Sequence, residues 1–306
     1  MLTIVILLFA AIFAPVWIGW ILKASETKPA TVTATKSENK KFVPQKTVHY
    51  VTPSGNVWSL FEDILSQPHT LIAGATGSGK SVAMNGLIDT ILYDLTFDKT
   101  GNSQMILIDP KRVELARYKN LPHVLEYASG QNPDAWSHAL QSAVRIMDKR
   151  YDVMESRGIL DYDGSDLYVF IDEWASINSK YNTQRSNCVA SLLRLVSEGR
   201  TAKVHVILAT QVPKANIIPT EIRDNFTARL ALMTENKLQS RVIIDTDGCE
   251  TFPSPKKAGY AHGMYCLPGN DRTLYKVPYV QQEEIQGHID WWYDQMRQNG
   301  IDPATA

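Results

Sequence analysis

Short apolar runs alternate along this chain with longer stretches whose apolar residues recur every three to four positions. The runs lie at His69–Gly74, Gln104–Asp109, Leu167–Asp172, Val204–Thr210 and Ala228–Met233. Runs this short, with few polar interruptions, predict strands buried on both faces. Between most of them the period lengthens, and Ser81–Asp94, Asp134–Ser156 and Cys188–Ser197 predict helices. A last helix carrying Trp291 and Trp292 is expected near the C-terminus, with both rings packed in the core or between subunits. Strand and helix in alternation predict an α/β fold with a mostly parallel central sheet covered on both faces. No internal repeat is visible.

The N-terminus breaks this pattern. Leu2–Leu22 is an uncharged stretch of 21 residues, which as a helix is long enough to cross a hydrocarbon core of about 30 Å. It predicts one transmembrane helix, which Pro15 does not exclude. No basic residue precedes Lys23, so a cleaved signal peptide is not expected. Lys23, Lys28, Lys36, Lys40, Lys41 and Lys46 against Glu26 and Glu38 put a charge of +4 beside the span, which predicts that the following bulk is cytoplasmic. The expected organisation is therefore a span over residues 1–22, a flexible basic linker over 23–50, rich in Thr, Lys and Ser, and one large domain over 51–306.

Charge and cysteine usage narrow the function classes. The chain carries 31 Lys and Arg against 32 Asp and Glu, so the part beyond the basic linker is acidic. That excludes a broad basic face for nucleic acid and confines any such contact to a local strip. The three cysteines, Cys188, Cys249 and Cys266, have the spacing of neither a disulfide framework nor a zinc site and read as ordinary buried thiols.

The most specific motif is Gly74-Ala75-Thr76-Gly77-Ser78-Gly79-Lys80-Ser81, placed between a predicted strand and a predicted helix that continues with Val82. This is the pattern of a phosphate loop. Its glycines let backbone N–H groups curl around a triphosphate, Lys80 reaches the β and γ oxygens, and Ser81 offers a hydroxyl to Mg²⁺. The cofactors expected are ATP and Mg²⁺. A second motif, Leu167-Tyr168-Val169-Phe170-Ile171-Asp172-Glu173, ends a buried strand in two adjacent acids. Packing explains such a pair poorly, whereas a phosphate-loop enzyme uses it: Asp172 for the metal shell and Glu173 to orient and deprotonate water. Asp172 as a helix N-cap is the plainer alternative. Gln211 ends the strand Val204–Thr210, where open α/β sheets present ligand contacts, and is read as a γ-phosphate sensor or as a turn residue.

The chain resembles the motor domain of the FtsK/SpoIIIE DNA translocases. The resemblance runs over about residues 53–303 and rests on five segments in order: the phosphate-loop region Pro68–Tyr93, IDPKRVELARYKNLPHVL (Ile108–Leu125), IMDKRYDVM (Ile146–Met154), VFIDEWA (Val169–Ala175) and GRTAKVHVILATQ (Gly199–Gln211). It implies a RecA-like P-loop NTPase fold of the ASCE division, assembled as a hexameric ring around DNA, with ATP hydrolysed between subunits. It also implies that Arg200 is the arginine finger reaching a neighbouring subunit's γ-phosphate, with a surface arginine at a helix end as the alternative. Arg150 is a second candidate for that contact, or a structural ion pair. Arg223, Lys237 and Arg241 fall where the family lines its pore and touches the DNA backbone. Where members often carry Arg directly after the ATQ tip this chain has Val212, and Lys214 is the substitute expected.

Chromosome-segregating members add a multi-pass membrane region, a long linker and a C-terminal winged-helix module, none of which is expected here. A short, singly anchored motor is more similar to the transfer motors of mobile elements, including TcpA-type coupling proteins. The resemblance thus implies a membrane-anchored ATP hydrolase that moves DNA in conjugative or mobile-element transfer, with a relaxase or secretion-channel protein as partner. A reduced chromosome-segregation translocase, an EccC-like protein-secretion ATPase and a non-catalytic nucleotide-binding scaffold are the alternatives.

Overall fold

The computed structural model describes residues 50–51, 57–58, 60–97, 103–178, 182–211, 213–214, 217–266, 272–277 and 282–300. The expected span over 1–22, the linker up to residue 49 and Val212 lie outside the described residues. Among the described residues no helix is long and apolar enough to cross a membrane.

A short antiparallel pair, β1 (Tyr50–Val51) and β2 (Val57–Trp58), precedes α1 (Leu60–Leu65). There follow β3 (His69–Ala73), α2 (Lys80–Phe97), β4 (Gln104–Asp109), β5 (Val124–Ser129), α3 (Pro133–Arg157), β6 (Leu167–Ile171), α4 (Trp174–Asn178) and α5 (Asn182–Glu198). The chain continues with β7 (Val204–Thr210), α6 (Thr220–Arg223), β8 (Ala228–Leu232), α7 (Lys237–Ile244), α8 (Pro255–Ala258), β9 (Ala261–Cys266), β10 (Thr273–Val277) and α9 (Gln282–Gln298). The main sheet runs β10-β9-β8-β3-β7-β6-β4-β5. Its six strands from β8 to β5 are parallel, and β9 and β10 add an antiparallel edge.

Strand side chains alternate between two apolar layers, as the pleat requires. Leu71, Ile106, Ile108, Val206 and Leu208 face the layer that also holds Trp136, Leu140 and Met147 of α3 and Leu192 and Leu195 of α5. Ile72, Met105, Leu107, Ile207 and Ala209 face the other layer, with Met84, Leu87 and Ile88 of α2, Phe61 of α1 and Ile285 and Ile289 of α9. Both faces are thus covered, which is why the strands read as continuous apolar runs. Helix α2 is buried from Ala83 to Leu92, and its polar residues are paired: Asn85 accepts from the Tyr118 hydroxyl (2.7 Å) and Asp89 meets His288 of α9. Trp292 is half-buried, packs against this second layer and lies edge-on to His123 at 4.3 Å.

Local chemistry sets the element ends. The Asn132 side chain accepts from the Ala135 N–H, Pro133 opens α3, and Gly158 closes it in the left-handed region at φ 63°. Arg150, the second finger candidate, is an internal strut. It is buried, its Nη1 donates to the Ala202 and Lys203 carbonyls (2.8 Å each), and its guanidinium lies 4.7 Å from the Tyr162 ring centre. A residue satisfied in this way is structural, with carbonyls in place of the expected ion-pair partner. Cys188 and Cys249 are buried free thiols, and Cys266 is half-buried.

Candidate functional site

The C-terminal tips of β3, β4, β6 and β7 converge, as they do at ligand sites of open parallel sheets. Strand β3 lies between β7 and β8 and delivers the loop Gly74–Gly79 to the start of α2. The loop is fastened at its root: the Gly74 N–H donates to the Thr210 carbonyl (3.3 Å) and the Ala75 N–H to the Met233 carbonyl (2.7 Å). Gly79 has φ 104°, and a Cβ there would stand 2.6 Å from the Ala261 Cβ. Gly77 has φ 73° and open space where a Cβ would point. Glycine is needed at one position for close packing and at both for the left-handed backbone.

This cradle fits a polyphosphate. The first turn of α2, with Lys80, Ser81 and Val82, presents N–H groups that no residue within the helix can accept from. The Ser78 hydroxyl is buried with no hydrogen-bond partner among the described residues. The Lys80 ammonium bends back over the loop and donates to the Gly74 (2.7 Å) and Ala75 (3.0 Å) carbonyls. Burial pushes it down to about 8, against the upward pull of Glu173, and Asp172 and Glu114 also pull it upward.

The two acids after β6 have different surroundings. Asp172 is buried, and burial together with the negative charge of Asp109 pushes its carboxyl up to about 7. Glu173 holds φ 67°, a left-handed conformation unusual for a non-glycine residue and of the kind that collects at working sites. Its Oε1 accepts from the Gln211 N–H (3.0 Å) and the Thr210 hydroxyl (3.2 Å), while its Oε2 faces the Lys111 ammonium at 3.0 Å. The Gln211 side chain in turn accepts from the Thr76 hydroxyl at 2.9 Å, tying the tip of β7 to the phosphate loop.

Lys111 and Glu114 went unassigned in the sequence. Both sit just past β4, on a segment pinned by Asp109, whose carboxylate accepts from the N–H groups of Lys111 (3.1 Å), Arg112 (2.8 Å) and Leu115 (3.1 Å). Glu114 accepts from the Ser81 hydroxyl at 2.5 Å. The sequence carries only a weak signal for them: Lys111, Arg112 and Glu114 fall within five residues of an apolar strand that ends in Asp109 at the sheet's ligand edge. Among the described residues no group of three His, Cys, Asp or Glu side chains forms a ready metal cage. The Ser81 hydroxyl and the Asp172 carboxylate are hard oxygen donors that suit Mg²⁺, which takes one or two protein ligands and the rest from phosphate and water.

The remaining expected residues lie elsewhere. Arg200 is exposed in the turn between α5 and β7, at the opposite end of β7 from Gln211. Lys214 is exposed. Lys237 and Arg241 are exposed on α7 and both face Asp247. Arg223 is more enclosed, its guanidinium meeting Asp224 at 3.0 Å, Asp245 at 3.9 Å and the Val242 carbonyl at 3.4 Å.

Comparison with known proteins adds to this geometry. Residues 44–265, well over half of the chain, match the FtsK/SpoIIIE family. The DNA translocase FtsK of Streptomyces coelicolor is 33% identical over 261 residues, covering 78% of this chain and 27% of that protein. The FtsK of Oceanobacillus iheyensis is 31% identical over 255 residues, covering 77% of this chain and 31% of its own length. The chain thus spans less than a third of these relatives. Among solved structures, the pCW3 conjugation coupling protein TcpA, in monomer form with ATPγS, superposes with a TM-score of 0.64 at 18% identity, covering 83% of this chain and 75% of TcpA. The cytoplasmic domain of the Thermomonospora curvata type VII secretion ATPase EccC gives a TM-score of 0.65 at 19% identity, covering 87% of this chain and 33% of EccC. At such identities these two likenesses establish the fold.

Proposed function

The chain belongs to the FtsK/SpoIIIE family, and from that premise we propose that it is a membrane-anchored ATP hydrolase that moves DNA through a ring of its own copies. The observation that carries this reading is the convergence of Lys80, Ser81, Asp172, Glu173 and Gln211 at one sheet edge, with Thr76 bonded to Gln211 and Glu173 bonded to Gln211 and Lys111.

In this reading the loop N–H groups and Lys80 bind the phosphates, and Ser81 and Asp172 are the residues that would hold Mg²⁺, which when bound would supply charge neutralisation for phosphoryl transfer. Glu173 accepts the proton of the attacking water, and the Gln211 N–H, the Thr210 hydroxyl and Lys111 fix its direction. Arg200 serves a neighbouring copy. It precedes β7, whose seven residues separate it from Gln211 by about 20 Å at 3.3 Å per residue, so it does not reach the nucleotide loop of its own chain. That separation supports a site shared between subunits and so a ring, for which six copies is the family expectation. Arg223, Lys237 and Arg241 are assigned to the DNA backbone.

The anchor is the apolar segment 2–22, with the motor on the cytoplasmic side of the inner membrane. We assign the motor to conjugative or mobile-element transfer, with a relaxase or channel protein as partner, and a reduced chromosome-segregation translocase is the alternative. An EccC-like secretion motor shares the fold, and the alternative is decided by the polymer that stimulates hydrolysis. The test is the ATPase rate of the full chain alone and with single-stranded DNA, duplex DNA or unfolded polypeptide. Stimulation by either DNA supports the proposal. Stimulation by polypeptide alone overturns it in favour of secretion.

A further inference from the structure

Lys237 and Arg241, the two exposed cations assigned above to the DNA backbone, share one partner. The Asp247 carboxylate accepts from Arg241 Nε at 2.6 Å and Nη2 at 2.9 Å, a two-pronged pairing, and lies 3.9 Å from Lys237 Nζ. Asp245 caps α7 in the left-handed region at φ 58°, its N–H donating to the Arg241 carbonyl (3.0 Å), and the turn that follows, through Gly248 at φ 126°, carries Asp247 back beside the helix. The Asp247 side chain takes no part in that cap. The last carbonyls of α7 accept instead from three other arginines, Val242 from Arg223 (3.4 Å), Ile243 from Arg229 (3.2 Å) and Ile244 from Arg272 (2.6 Å). Among the described residues the Asp247 side chain meets only the two cations.

A planar guanidinium gripping two carboxylate oxygens is the geometry with which arginine grips a phosphate. The pair is accessible to solvent, the Lys237 and Arg241 side chains being 68% and 62% exposed. Exposed ion pairs of this kind contribute little to folding and exchange partners readily. A polyanion that approaches α7 therefore meets cations whose sites are held by a carboxylate, and that carboxylate must yield before phosphate can enter.

We propose that Asp247 is an internal competitor of the nucleic-acid backbone: it occupies the phosphate positions on Lys237 and Arg241 and weakens the grip of this surface on its track. The inference rests on the DNA-translocase reading. A motor that must release each phosphate to advance gains from such a competitor, because the cations stay oriented and are not left bound to one position.

The test is the affinity of the full chain for fluorescein-labelled duplex and single-stranded DNA by anisotropy, with ATPγS, across 50 to 300 mM salt on the order used for such titrations. Asp247→Asn should tighten binding about two- to fivefold, the scale of one exposed ion pair, and steepen the salt dependence by about one released counterion. Asp161→Asn removes the same charge from an exposed loop elsewhere and should leave affinity unchanged. In a Lys237→Ala/Arg241→Ala background the gain from Asp247→Asn should vanish. Equal or weaker binding by Asp247→Asn, an equal gain from Asp161→Asn, or a gain that survives removal of the two cations overturns the inference while leaving the DNA reading intact. Failure of the folded wild-type chain to bind either DNA overturns both. Asp247→Ser, checked by thermal melting, guards against an effect peculiar to asparagine.

Discussion

Lys80 gives the phosphate loop a pH dependence whose size follows from its burial. In the free protein burial holds its ammonium at about 8, well below the ordinary lysine value of 10.5. With a nucleotide bound, the phosphates favour the charged form and raise that value. Binding above pH 8 must therefore take up a proton, and the apparent Kd grows in proportion to one plus the ratio of neutral to charged Lys80. At pH 8 that factor is about 2 and at pH 9.5 about 33, so the Kd for ATPγS should rise about sixteenfold over this interval. Asp172, raised to about 7, is mostly ionised by pH 8, and phosphate itself titrates near 6, so neither contributes much in this window.

The assay is calorimetric titration of ATPγS into the protein at pH 8.0, 8.5, 9.0 and 9.5, each in two buffers of different ionisation enthalpy. Proton uptake should be about 0.5 per site at pH 8 and approach 1 at pH 9.5. Lys80→Arg keeps a charge throughout the range, so any affinity it retains should be flat with pH. A rise of less than about threefold in the wild type would refute the argument from burial. So would the same rise in Lys80→Arg, because the titrating group would then lie elsewhere.

Glu173→Gln should bind ATPγS as wild type does, because the amide oxygen can still accept from the Gln211 N–H, yet lose turnover by about a hundredfold or more; steady hydrolysis above a few per cent of wild type would remove Glu173 as the base. Mixing Arg200→Ala with Lys80→Ala should restore part of the ATPase activity that each lacks, since an interface with one intact Lys80 and one intact Arg200 is complete; if mixed rings are shown to form and no activity returns at any ratio, Arg200 is not a finger acting between subunits. His69 accepts the Val206 N–H on Nδ1 (3.1 Å), and burial holds it neutral down to about 3. The unfolded chain takes up that proton first, so stability is lost as pH falls from about 6.5 towards 3, by about 2 kcal/mol at pH 5. His69→Asn can keep an acceptor without titrating, and urea unfolding at pH 7.5 and 5.0 should show the gap between wild type and variant narrowing by that amount; a constant gap would contradict it.

The sequence made the parallel half of the fold legible because those strands are buried on both faces. All five expected strands are present with ends shifted by at most one residue, since an apolar run stops where the backbone leaves the sheet. It failed where one face is open. Strand β5 carries Glu126 and exposed Leu125, and β10 is mostly exposed, so neither shows a continuous apolar run. The phosphate loop was legible because its chemistry fixes residue types at fixed spacing. Lys111 and Glu114 were not, because their role arises from a fold-back: Asp109 gathers three N–H groups and turns the segment across the tips of β3 and β6. Arg150 stays open in the sequence, between a contact to a neighbour and a structural pair, for a related reason: an arginine buried for the sake of two carbonyls has no sequence signature that tells it from one presented outward.

One strand links the nucleotide loop to the basic surface. The Ala75 N–H bonds the Met233 carbonyl at the end of β8, and a Cβ at Gly74 would press within 2.8 Å of the Leu232 Cβ. Past Met233 the chain reaches the α7 N-cap at Asn236 in three residues, and Lys237 opens the helix. That connector is itself fastened: the Thr234 N–H donates to the Cys249 carbonyl (3.1 Å), the Asn236 side chain accepts from the Gln239 N–H (3.0 Å), and the Glu235 N–H donates to the Gln239 side chain (3.0 Å). The loop root and α7 are therefore joined by a short, hydrogen-bonded path, whereas β5 at the far edge shares no such bond with the loop among the described residues. If DNA stimulates hydrolysis through the proposed contact at Lys237 and Arg241, this path is the route we propose for its effect on Lys80. Stimulation should then weaken when the Asn236 cap is removed by Asn236→Ala, even though Asn236 belongs to neither site; full stimulation in that variant would place the coupling elsewhere.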